Sequence, residues 1–203
     1  QAHKFVTSTT FLVARLTGRF VIDHLTAAYW DPLYDVAANR WSPAFCEGIV
    51  EPERLPELAW STEIAGTVTP EAARQTGLAE GTPVIAGTAD APAEAVSVGV
   101  TAPGQMMLMY GSTVFIIEVL DKPRMDERLW SAPFLFPGTS LLAAGMATSG
   151  ALTRWFRDEL APDLVTAEEA GGENAYGALT EQAAAIPPGS EGLLVLPYFS
   201  GER

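Results

Sequence analysis

Between Phe5 and Thr17 the apolar residues Phe5, Phe11, Leu12, Val13 and Leu16 fall at spacings that suit one face of an amphipathic helix, and Gly18 stops it. From Asp23 to Trp41 the chain is rich in aromatics and turn residues, with breaks at Asp31-Pro32 and at Ala38-Asn39-Arg40. Short helices are expected over Pro43 to Ile49 and over Glu51 to Leu58, followed by an extended piece around Ile64 to Val68. Thr69-Pro70-Glu71 reads as a helix start, with Thr69 as N-cap and Pro70 in the first turn, and that helix ends at Gly77. The apolar run Pro83 to Ala86 predicts a strand that stops at Gly87-Thr88-Ala89-Asp90, before a small-residue helix from about Pro92 to Val98.

After Thr101-Ala102-Pro103-Gly104 the pattern becomes strand, tight turn, strand: Met106 to Tyr110, Gly111-Ser112-Thr113, then Val114 to Leu120. That tetrapeptide is the best candidate for a domain boundary. A third strand is expected at Ser140 to Ala144 and a helix at Ala151 to Leu160. The helix sets Leu152, Trp155 and Phe156 on one side and Arg154, Arg157 and Asp158 largely on the other. Trp155 and Phe156 read as core packing. Pro162 to Glu173 is polar and reads as a surface loop; Tyr176 to Ala185 reads as a helix ended by Pro187-Pro188-Gly189, and Leu193 to Pro197 is strand-like. Three strands followed by a helix is the opening order of a ribonuclease-H-like unit. Because the chain opens on Gln1 in a helix-like segment and stops just after that last apolar run, it is expected to be an internal piece of a longer protein.

Composition narrows the classes of function. Hydrophobic residues make up 48% of the 203 residues and charged ones 18%, which suits a packed protein and argues against global disorder. A formal net charge of −13 argues against nucleic acid as a partner, although local amides can still bind a small anion. The single Cys46 excludes an internal disulfide and a cysteine-based zinc site and reads as a small buried apolar residue. With only His3 and His24 besides, spacing assembles no metal-ligand cluster. No apolar run is long enough to cross a bilayer, so no membrane role is expected and a cytoplasmic location is the default.

Asp90 is the sharpest chemical candidate. A fixed carboxylate can take the proton of an attacking hydroxyl, while phosphoryl transfer needs mainly alignment and charge neutralisation. Taken alone, Asp90 is better explained as the N-cap of the following helix. Gly111-Ser112-Thr113 offers amides and hydroxyls to an anion but is, alone, better explained as a hairpin turn. Gly145 to Gly150 is a third flexible turn ending at a helix N-terminus, where anions are attracted. Glu94, Asp158, Glu168 and Glu169 read as solvated faces.

Together these segments resemble the FGGY family of carbohydrate kinases, most closely its xylulokinase-like members. Arg15-Leu16-Thr17-Gly18 with Asp23 resembles an RLTG-x-x-x-x-D segment, and Gly81 to Gly104 a GTPV-x-x-G-x-x-D signature with its small-residue helix and Pro-Gly. Tyr110 to Val114 is similar to a phosphate turn, Gly150 to Leu160 to a G-x-x-x-x-W-x-R-D segment, and Tyr198 to Arg203 to the start of a further motif.

The resemblance implies an α/β, actin-like ATPase (ribonuclease-H-like) fold, with residues 1–104 ending a sugar-binding first domain and residues 105–203 beginning a nucleotide-binding second one. It implies ATP-dependent phosphorylation of a sugar or polyol, a pentulose such as xylulose first, with Asp90 as general base. Gly111, Ser112 and Thr113 would face the phosphates, Gly150 and Thr153 would lie near the nucleotide, and magnesium would be held around the phosphates by acids of the first domain's opening segment. A homodimer is an assembly open to it. Two positions depart from the pattern. Ala91 stands where an Asn or Gln usually touches the sugar, which leaves the sugar's identity open, and the turn reads Gly-Ser-Thr instead of Gly-Thr-Ser. No Asp-x-Gly-Thr hairpin or distal glycine-rich adenosine segment is present in these residues, so the chain alone is expected to lack turnover. A non-catalytic sugar- or nucleotide-binding relative is the alternative.

Overall fold

A computed structural model describes residues 2–199 and 201. Contacts divide the chain into two units, one holding the residues up to Met107 together with Ile117–Ala143, the other Leu108–Ile116 together with the residues from Ala144 onward.

In the first unit α1 (Ser8–Thr17) starts later than its apolar pattern suggests, because Thr7 caps it by accepting from the Thr10 amide. Gly18 closes the helix at φ 78°, a left-handed conformation that glycine adopts without a Cβ clash. β1 (Val21–Asp23) follows and is buried at all three positions. Successive side chains of a strand point to opposite faces, and the packing reflects it. Val21 joins Val13, Ala65 and Ala86, whereas Ile22 joins Ala27 and Tyr34. The second cluster is walled by Trp30, Trp41 and Leu58 and draws on α2 (His24–Ala28) and on the two-residue hairpin of β2 (Tyr34–Asp35) with β3 (Arg40–Trp41).

α3 (Pro43–Cys46) buries the Cys46 side chain, in keeping with an apolar role, and burial pushes its thiol pKa up. The helix expected over Glu51 to Leu58 does not form. Pro52–Arg54 makes one 3-10 turn, and Leu55 is extended at φ −79°, ψ 150° because a residue before proline is pushed out of the helical region. Pro56 then leads into β4 (Glu57–Ala59), which pairs in parallel with β1 from Val21↔Glu57 to Asp23↔Ala59. β5 (Ile64–Thr67) pairs antiparallel with β6 (Pro83–Ile85) across α4 (Pro70–Thr76). Thr69 caps α4 by accepting from the Ala72 amide at 3.2 Å, and Gly77 ends it at φ 78°. α5 (Asp90–Ser97) begins two residues before the expected start and buries Pro92 and Ala95.

β7 (Met106–Tyr110), β8 (Val114–Leu120), β9 (Trp130–Pro133) and β10 (Ser140–Met146) make a sheet of order β7-β8-β10-β9, and β7, β8 and β10 each pass from one unit into the other. β9 is not expected from the sequence: four residues are too short to carry a pattern, and the strand is set by antiparallel pairing with β10, Ser140↔Pro133 to Ala143↔Trp130. In the second unit α6 (Gly150–Leu160), α7 (Pro162–Glu169) and α8 (Ala175–Ala184) follow in turn.

α7 replaces the expected loop. Pro162 sits in its first turn, where no amide donor is needed, with Asp163 beside it. None of its residues is buried, which is why the stretch reads as polar. Glu168 is also more than a solvated acid, since it accepts from the Asn174 side chain and the Ala175 amide at the start of α8. The core role expected for Trp155 and Phe156 is not seen: they are 40% and 45% exposed, and the Trp155 ring lies 4.8 Å from that of Phe199. Leu193 to Pro197 forms no strand, because no described segment pairs with it. Replacing Thr69 with Ala removes the side-chain cap of α4 and is expected to cost about 1 kcal/mol, read as a lower denaturant midpoint at unchanged slope.

Candidate active site

The expected site residues fall into two groups, one in each unit. In the first unit β6 runs through Ala86 into Gly87-Thr88-Ala89, and Asp90 opens α5. Gly87 has φ +72°, a left-handed conformation that favours glycine, and a Cβ there would lie 3.1 Å from Thr9 Cγ2, a tight contact. The Ala86 amide donates to the Glu63 carbonyl at 2.9 Å and the Gly87 amide to the Ser61 carbonyl at 3.0 Å.

Asp90 is exposed, and its Oδ1 accepts from the Ala91 amide at 2.8 Å. It is the first residue of α5 and not its N-cap; that position is Ala89, which makes no side-chain cap. A carboxylate in the first turn of a helix favours the helix, and this one keeps a face toward solvent. Ala91, next in line, is half-buried.

Behind this turn lies a polar cluster that the sequence pattern does not assemble. Asp23, 2% exposed at the end of β1, accepts from Ser61 Oγ at 3.0 Å and Thr88 Oγ1 at 2.8 Å, both on Oδ2. Its signal in the sequence is its place at the end of the RLTG-x-x-x-x-D segment. Next to it His24 Nδ1 lies 2.8 Å from Tyr34 Oη, and the His24 ring lies 4.6 Å from that of Trp60. Burial lowers the His24 pKa below its ordinary 6.5, against the opposing pull of Glu63 and Asp23. Burial, reinforced by Asp23 and Asp35, raises the Tyr34 pKa.

In the second unit Gly111, Ser112 and Thr113 are exposed and closed by a bond from the Gly111 amide to the Thr113 carbonyl at 2.9 Å. The start of α6 is tied to this turn. The Ser149 amide donates to the Ser112 carbonyl and the Gly150 amide to the Gly111 carbonyl, each at 2.9 Å, while Ser149 Oγ donates to the Gly111 carbonyl at 3.0 Å. A Cβ at Gly150 would lie 2.4 Å from the Gly111 oxygen, so only glycine permits this approach. Thr153 Oγ1 lies 3.3 Å from Tyr110 Oη, linking α6 to the end of β7. The Gly150 amide is therefore taken up by the turn, while Ser112 and Thr113 stay exposed.

Among the described residues no group of three or more His, Cys, Asp or Glu side chains could hold a metal ion, so these residues offer magnesium no ligand cage of their own. An exposed glycine turn carrying two hydroxyls does fit a nucleotide phosphate.

The fold is α/β and of the actin-like ATPase kind. Residues 1–97 match the FGGY family of carbohydrate kinases, N-terminal domain. A xylulose kinase structure from Rhodospirillum rubrum superposes with a TM-score of 0.85 at 32% identity, covering 98% of this chain and 40% of that one. Among curated relatives, an autoinducer-2 kinase of Klebsiella pneumoniae is 31% identical over 94% of this chain and 36% of its own length. A gluconokinase of Bacillus subtilis is 28% identical over 100% of this chain and 40% of its own length. Residues 1–97 belong to the FGGY family of carbohydrate kinases, and the chain as a whole is similar to its members. It spans about 40% or less of the length of these relatives.

The close approach at Gly150 can be tested directly. Gly150→Ala is expected to push the Gly111–Thr113 turn aside and to cost about 1–3 kcal/mol by overpacking, measured by thermal unfolding. The buried histidine gives a pH dependence. Because the folded pKa of His24 is depressed, the unfolded chain takes up its proton first as the pH falls. Stability from this residue is therefore full above the unfolded value and is lost as the pH falls through the folded one. Melting temperature should drop on acidification from about pH 7.5 to about 5.5, and His24→Gln should flatten that drop.

Proposed function

We propose that the protein containing this chain is an ATP-dependent kinase that phosphorylates a hydroxyl of a sugar or polyol, with Asp90 as the general base. The observation that carries this reading is the exposed Asp90 carboxylate at the first turn of α5, two residues after Thr88, whose hydroxyl bonds to Asp23, in a segment that matches a carbohydrate kinase family. In the transfer, a substrate hydroxyl oxygen bonds to the terminal phosphorus of ATP and the bond from that phosphorus to the bridging oxygen breaks. The hydroxyl proton passes to Asp90. ATP supplies the phosphoryl group, and the Ser112 and Thr113 hydroxyls with Gly111 would meet its phosphates, with Gly150 and Thr153 supporting them. Magnesium would be held by the phosphates and by acids outside these residues.

A pentulose such as xylulose is the first substrate to test, supported by the likeness to a xylulose kinase at 32% identity. Relatives of similar identity are named for gluconate, ribulose and autoinducer-2. Ala91, half-buried beside the base, is the position we assign to the choice among them. No helix among the described residues is long and apolar enough to cross a membrane, and a cytoplasmic site of action is part of this reading.

The test is ADP release by the full-length protein across pentuloses, hexuloses and polyols. Asp90→Ala is expected to lower kcat by about 10²- to 10⁴-fold with ATP binding retained. A wild-type protein that binds ATP or sugar but turns over none of the panel is a binding relative, and the kinase reading falls. Residues 1–203 expressed alone are expected to give no sugar-dependent ATP turnover.

A further inference from the structure

We propose that Asp23 is a positioning residue for Asp90, acting through the hydroxyl of Thr88; this rests on the reading of Asp90 as general base. β1 ends in a residue that is 2% exposed yet carries a carboxylate, where Val21 and Ile22 before it are apolar. Buried charge is a poor source of net stability unless it is well paired. Here one oxygen, Oδ2, receives both the Ser61 hydroxyl at 3.0 Å and the Thr88 hydroxyl at 2.8 Å. Two donors on one buried oxygen tie both of their segments to the end of β1.

These bonds close a ring. Ser61 gives its hydroxyl to Asp23 while its carbonyl takes the Gly87 amide at 3.0 Å. Thr88 gives its hydroxyl to Asp23 while its carbonyl accepts from Thr9 Oγ1 at 3.3 Å. The segment entering α5 is thus held from β1, from α1 and from the turn after β4. Asp90 comes two residues later, and its carboxylate bonds to the amide of its own neighbour, Ala91. Its position is inherited from the turn behind it. A small displacement of a reacting group, on the order of 1 Å, can cost as much as about 10²-fold in rate, so fixing Thr88 fixes the base.

The experiment uses the full-length protein with Asp23→Asn, Thr88→Val and Thr88→Ser. Thr88→Val keeps the shape of threonine and removes only the donor, so it tests the link even if Asp23→Asn folds poorly. Asp23→Asn and Thr88→Val are expected to lower kcat by roughly tenfold to a hundredfold with KM for ATP within about twofold. Thr88→Ser, which restores the hydroxyl, is expected to keep kcat near wild type. In parallel, amide hydrogen exchange at Gly87 to Ala91 should quicken in the first two variants while α4 is unchanged, a local opening separable from global unfolding. Active wild-type protein whose Asp23→Asn and Thr88→Val variants keep kcat, whatever their melting temperatures, overturns the proposal and leaves the kinase reading standing. Wild-type protein inactive on every sugar removes both.

Discussion

One buried carboxylate organises the first unit. Asp23 terminates a strand whose two preceding residues divide the apolar core between them, Val21 toward α1 and the β5–β6 pair, Ile22 toward α2 and the Tyr34 hairpin. A carboxyl group left without partners at that depth would be destabilising. Two hydroxyls from distant parts of the chain, Ser61 and Thr88, converge on it instead. The requirement to satisfy Asp23 therefore fixes where the turn after β4 and the turn after β6 lie. The exposed carboxylate of Asp90 is carried on the second of these.

A steric constraint plays the corresponding part in the second unit. The carbonyls of Gly111 and Ser112 accept the amides that open α6, and this contact is possible only because Gly150 has no side chain to meet the Gly111 oxygen. The first amides of α6 are then occupied by backbone, not left for a ligand. Ser112 and Thr113 remain exposed on the turn.

Elements governed by neighbours in sequence are legible in the residues themselves. The α4 boundaries follow from Thr69 and Gly77, and the end of α1 from Gly18, because capping and left-handed closure are local events. β7 and β8 stand out as apolar runs broken by Gly111. The elements that the pattern misses share a cause. β4 and β9 exist because β1 and β10 lie beside them, and their few residues carry no period that could reveal it. α7 is helical by its start signals but buries nothing, so no apolar stripe betrays it. Residue type alone points to a core role for Trp155 and Phe156, while the structure leaves both substantially exposed.

For the candidate site the division is similar. Asp90 and the Gly111–Thr113 turn stand out by residue type and by their places after strands, and their order along the chain carries the likeness to a kinase family. By itself the sequence determined which residues could do chemistry and where helices start and stop, because side-chain identity and backbone preference are local properties. Only the tertiary structure decided that Asp23 backs the turn bearing Asp90, that the Gly150 amide is spent on the Gly111 carbonyl, and that His24 sits where burial lowers its pKa. Each of these depends on groups tens of residues apart being brought within hydrogen-bond reach and out of water, and no local pattern encodes that.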